Sequence, residues 1–110
     1  MFDCWRTKSS VLERIATSVQ TIADGIAVRV PVPEAVADPA PLVDEVRMVD
    51  DAQLIDAMRM IRSHTGFLCE PSAVAGVAAI AADPDRFAGE RVATILTGRN
   101  LTAAQIRTWF

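Results

Sequence analysis

Few residues in this chain have types and spacing that could do chemistry. Glu70-Pro71-Ser72-Ala73 places a carboxylate where an apolar run begins. Such a carboxylate can serve as an acid, although Glu-Pro taken alone is more often the start of a helix. Thr97-Gly98-Arg99-Asn100 offers a hydroxyl beside a glycine, and by itself it reads as a turn. Asp24-Gly25 reads as a tight turn inside the apolar stretch Thr21-Ile22-Ala23-Asp24-Gly25-Ile26-Ala27-Val28. A side-chain amine that could condense with an aldehyde is present once, at Lys8, within Arg6-Thr7-Lys8-Ser9-Ser10. The single histidine, His64, falls where a helix should end and suits the negative end of its dipole. Cys4 and Cys69 are far apart and match no metal spacing, so they read as free thiols. Met58 and Met60 read as core filling and rim.

The elements that must position these groups follow from periodicity and capping. Val11, Leu12, Ile15 and Val19 share one face of a short helix. Four prolines (Pro31, Pro33, Pro39, Pro41) make residues 29–41 an irregular connector, neither helix nor central strand. Residues 42–49 are rich in valine and read as a strand. Asp50 is a good N-cap, and Gln53 completes a capping box for a helix over about 51–64. Leu54, Ile55, Met58 and Ile61 should form its buried face, with Arg59 and Arg62 outward and Gly66 as a left-handed stop. Phe67-Leu68-Cys69 reads as a short strand ending at Glu70, and Pro71 opens a helix to Ala82. That helix is so uniformly apolar that it should be buried against a sheet or a partner. Asp83-Pro84-Asp85-Arg86 breaks it, and residues 91–96 read as a buried strand. Thr102 with Gln105 caps a last helix. The alternation of strands and helices predicts an α/β layer with a largely parallel sheet. The division expected is a leading segment over 1–28, the proline-rich connector, and an αβ core over 42–110.

Composition bounds the partners. A net charge of -3, with eleven basic residues scattered along the chain, gives no footprint for nucleic acid or an anionic membrane. The longest apolar run, residues 73–82, is too short for a bilayer span of roughly 20 residues. The first residues lack the layout of a secretion signal, so a cytoplasmic protein is expected.

Three segments, in order, resemble those of the threonine/serine dehydratases, fold-type-II pyridoxal-phosphate enzymes with a tryptophan-synthase-β-like fold. Residues 21–28 are similar to that family's T-I-A-D-G-I-A-V segment, Glu70-Pro71-Ser72-Ala73 to its E-P-[ST]-[GA] turn, and Thr97-Gly98-Arg99-Asn100 to its S-G-G-N motif. The similarity covers roughly residues 5–110 and looks like the carboxy-terminal portion of such an enzyme. It implies pyridoxal 5'-phosphate as cofactor, acting as an electron sink for β-elimination from a hydroxyamino acid. It also implies that the Thr97 hydroxyl faces the pyridine nitrogen, that Glu70 lies near the ring, and that the backbone at Gly25 passes the coenzyme face. Arg99 departs from the pattern, standing where the family has a second glycine.

The same resemblance shows what this sequence lacks. Lys8 does not match the family's S-F-K-x-R-G lysine motif, and the five glycines (Gly25, Gly66, Gly76, Gly89, Gly98) are isolated, so no glycine-rich phosphate loop can be built. No catalytic residue and no metal ligand is assigned. The expectation is a dehydratase fragment that is inactive alone. The competing expectation is a non-catalytic module, or one subunit of a split enzyme that pairs with an amino-terminal half or with further copies of itself.

Overall fold

A computed structural model describes residues 19–30 and 32–110. Both the helix expected around Val11 to Val19 and Lys8 lie in, or mostly in, the remainder, outside the described residues, as does Cys4. The chain divides into two compact units, one of Met1–Thr21 with Ile26–Met48, the other of Ile22–Gly25 with Val49–Phe110.

In the first unit the described residues hold one short helix, α1 (Pro33–Ala37). This corrects the reading of residues 29–41 as wholly irregular. Pro33 stands at the start of α1, where a helix has no use for the missing N–H and where the fixed φ of proline already suits it. Two turns follow, with Leu42 and Val43 both donating to the Pro39 carbonyl.

The second unit is built on α2 (Asp51–Thr65). Its start is the capping box expected: Asp50 accepts from the Gln53 N–H at 2.8 Å, and the Gln53 side chain accepts from the Asp50 N–H at 2.8 Å. Its end is Gly66, left-handed at φ 76. Leu54, Ala57 and Met58 are its buried residues, whereas Ile55 and Ile61, also expected on the buried face, are half-buried. A 3-10 turn (Pro71–Val74) leads into α3 (Ala75–Ala82). Ala73, Val74 and Ala78 from this stretch join Leu54, Ala57, Met58, Cys69 and Ala23 in one core. Although α3 is apolar all round, only Ala78 within it is fully buried, and Ala81 and Ala82 are exposed.

After α3 the chain turns through a 3-10 segment (Pro84–Phe87) and runs without regular structure to α4 (Ala103–Trp109). Thr102 and Gln105 form the second capping box. The two arginines expected to face outward from α2 are exposed, and both also contact the end of the chain at α4. Arg59 Nε donates to the Trp109 carbonyl at 2.7 Å, and the Arg62 guanidinium lies 5.2 Å from the centroid of the Phe110 ring.

The expected parallel sheet is absent. Among the described residues there is no strand: residues 42–49, 67–70 and 91–96 are extended or irregular chain. A strand exists only where neighbouring backbones exchange hydrogen bonds, and valine enrichment alone does not supply that neighbour. One backbone bond, from the Glu70 N–H to the Gly98 carbonyl at 3.3 Å, joins the second of these segments to the turn that follows the third. The side chains that a sheet would have covered stand out instead, with Leu42 and Ile95 each 81% exposed. No helix among the described residues is long and apolar enough to cross a membrane.

Candidate functional site

The site-bearing segments of the second unit meet around Glu70. Ile22 comes first: its N–H donates to both carboxylate oxygens of Asp51, at 3.3 and 3.2 Å, in the first turn of α2. That contact ties the Ala23-Asp24-Gly25 stretch to the α2 amino terminus, and Ala23 is buried in the core beside it. A Cβ at Gly25 would come within 3.0 Å of Ser72 Oγ and 3.6 Å of Glu70 Oε1. Glycine is therefore what lets this backbone lie against the Glu70-Pro71-Ser72 turn.

Glu70 precedes that turn, and its carboxylate reaches across to the second turn. Oε2 accepts from the Asn100 N–H at 3.0 Å. A Cβ at Gly98 would lie 2.5 Å from both the Glu70 carboxyl carbon and Oε1. Gly98 is also left-handed, at φ 81. The left-handed conformation of this turn is thus taken by a glycine, and Arg99 beside it is an exposed residue.

The structure thus brings together two of the three residues singled out from sequence, Gly25 and Glu70. Thr97 enters the cluster through its peptide bond to Gly98; its side chain is exposed. Ser72 and Asn100 are the members that sequence reasoning passed over. Ser72 Oγ is buried with no hydrogen-bond partner among the described residues, an arrangement that costs about 1–3 kcal/mol. Asn100 contributes its backbone N–H, for which no side-chain signal exists. His64 lies in the last turn of α2 and is exposed, as its dipole-favoured reading requires. Cys69 is buried in the core, and burial pushes its thiol pKa up by disfavouring the thiolate. No group of three potential metal ligands occurs among the described residues.

A family model described as pyridoxal-phosphate dependent enzyme matches residues 2–98. The chain belongs to that family. No curated protein matches it. The match takes in the Gly25, Glu70 and Gly98 segments and stops short of α4. Family membership implies pyridoxal phosphate, and the described residues fit one edge of it. Thr97 offers an exposed hydroxyl and Ser72 a buried one without a partner, whereas the space beside Gly25 Cα is taken by the Ser72 and Glu70 side chains. They do not fit its phosphate or its aldehyde. Gly66 and Gly89 are isolated left-handed residues with open space around them, and Gly76 packs against Thr94 Oγ1. The one lysine lies outside the described residues.

Proposed function

We propose that this chain carries the ring-nitrogen side of the coenzyme site of a threonine/serine dehydratase-like lyase, and that it has no ammonia-lyase activity by itself. When bound, pyridoxal 5'-phosphate would supply the electron sink that makes β-elimination of a hydroxyamino acid feasible. Thr97 would offer its hydroxyl to the pyridine nitrogen. A neutral hydroxyl there, rather than a carboxylate, leaves the ring less protonated and favours elimination over other outcomes. Glu70 would stand beside the ring, and the backbone at Gly25, drawn against Ser72 and Glu70, would pass the coenzyme face.

The observation that carries the reading is the meeting of the three segments at Glu70: a carboxylate between two glycines that each exclude a side chain. The case for inactivity rests on the lysine and glycine inventory, since one lysine in an unrelated context and five isolated glycines provide neither the amine nor the phosphate cradle. The direct test is an assay of the purified chain with coenzyme and either serine or threonine. No pyruvate or 2-oxobutyrate should form, and formation of either would sink the claim of inactivity. Adding a polypeptide that bears the lysine motif and a glycine-rich loop should produce oxo acid, and Thr97→Ala should abolish that gain.

A second reading is favoured by the apolar side chains left uncovered in residues 91–96, where Val92 is 48% and Ile95 81% exposed. Such surface suits a module that pairs with another chain, catalytic or not. Translating the DNA upstream separates the cases. An intact separate reading frame carrying the lysine motif favours a split enzyme; a frameshifted continuation favours a degraded gene.

A further inference from the structure

The Thr97–Asn100 turn is approached from both sides by chain that gives it little support. Upstream, Val92, Ile95 and Leu96 are exposed, and the nearest anchor is Thr94 packed against Gly76 of α3. Downstream, Leu101 packs on the core and Thr102 caps α4. Besides the local bond from the Leu101 N–H to the Arg99 carbonyl at 2.9 Å, Glu70 meets the turn in three ways. Its N–H donates to the Gly98 carbonyl at 3.3 Å, its Oε2 accepts from the Asn100 N–H at 3.0 Å, and its carboxyl group fills the space beside Gly98 Cα.

We infer that Glu70 is a positioning residue for Thr97: main chain and side chain together clasp residues 98–100 and so set where the Thr97 hydroxyl stands. The assignment rests on the reading of Thr97 as the ring-nitrogen partner. Its physical content is a charge-assisted hydrogen bond to one carboxylate oxygen, Oε2, while Oε1 lies between Gly98 and Gly25. A residue acting in this way needs an acceptor at Oε2 and a side chain of glutamate length. It does not need to gain or lose a proton.

The test is backbone amide exchange on the full chain, read by NMR, in the wild type, Glu70→Gln and Glu70→Ala. The Asn100 amide should be protected in the wild type and remain so in Glu70→Gln, whose amide oxygen can still accept. In Glu70→Ala its exchange should quicken about tenfold, the scale of a lost hydrogen bond to a charged acceptor. The amides of α2 serve as the folding control and should be unchanged in both variants. The proposal is overturned if Asn100 exchanges freely in the wild type, if Glu70→Ala leaves it unchanged, or if Glu70→Gln behaves as Glu70→Ala does. It is equally overturned if α2 loses protection in step with Asn100, because Glu70 would then be a general packing residue. No coenzyme enters this measurement, so the clasp can hold while the complementation assay fails, or fail while that assay succeeds.

Discussion

Glycine at 98 meets two independent demands, and a comparison within the chain separates them. Gly66 and Gly98 are both left-handed, at φ 76 and φ 81, but an added Cβ would meet nothing at Gly66 and the Glu70 carboxyl group at Gly98. Gly66→Ala should therefore cost only the backbone term, about 1 kcal/mol. Gly98→Ala should cost more, about 2 kcal/mol or above, because Glu70 must also give way. Urea unfolding midpoints of the two variants, side by side, check the difference. Cys69 is the other residue with a sharp expectation. Burial keeps its proton on in the folded chain, so on raising the pH the unfolded chain loses that proton first. Stability should fall as pH rises through the ordinary thiol range and on to the raised folded value, and be unaffected below that range. Unfolding curves across this window should flatten in Cys69→Ala relative to the wild type.

At the scale of elements, α2 is the part on which the second unit depends. Its capping box was legible because Asp50 and Gln53 act over three residues, where no distant partner can intervene. Asp50→Ala removes the acceptor for the Gln53 N–H and should cost about 1 kcal/mol, seen as a lower midpoint with unchanged helical ellipticity at low temperature. Leu54 is 2% exposed and sits on the face toward α3. Truncating it to alanine should cost about 2–5 kcal/mol, which is enough to unfold much of a small domain. Circular dichroism of Leu54→Ala at 25 °C should show that loss. The interior of α2 was less legible than its ends. Ala57 is buried while Ile55 and Ile61 are half-buried, because which side of α2 is covered depends on where distant segments pack, and periodicity does not carry that. Arg59 and Arg62 lie at the surface as expected, but their contacts with Trp109 and Phe110 depend on where α4 packs.

For the molecule at large, the main departure from expectation is that the described residues form no sheet, and its consequence is exposed apolar surface. Phe67 is 63% exposed, and residues 92, 95 and 96 stand out in the same unit. The isolated chain should therefore bind a hydrophobic dye and associate with rising concentration. Ile95→Lys, at a side chain with few contacts, should leave the unfolding midpoint within about 0.5 kcal/mol of wild type while reducing both effects. Analytical ultracentrifugation of the two proteins over a range of concentrations decides this. An Ile95→Lys chain that still associates like the wild type would show that the sticky surface lies elsewhere.

Taken alone, the sequence determined the short-range features of this protein and its family. Both capping boxes, the left-handed stop at Gly66, the break at Asp83-Pro84 and the α4 start all depend on residues within a few positions of one another, so local chemistry suffices. The ordered segments 21–28, 70–73 and 97–100, which carry Gly25, Glu70 and Thr97, marked a pyridoxal-phosphate enzyme, since motif order survives whatever the distance between motifs. Tertiary structure alone decided whether the valine-rich segments became strands, because a strand requires a neighbour that its own residues cannot provide. It also decided how the site is joined. The bond from the Asn100 N–H to Glu70 spans 30 residues, and a backbone donor leaves no mark in a sequence. The orphaned hydroxyl of Ser72 was hidden for the same reason, since burial is settled only when distant segments meet.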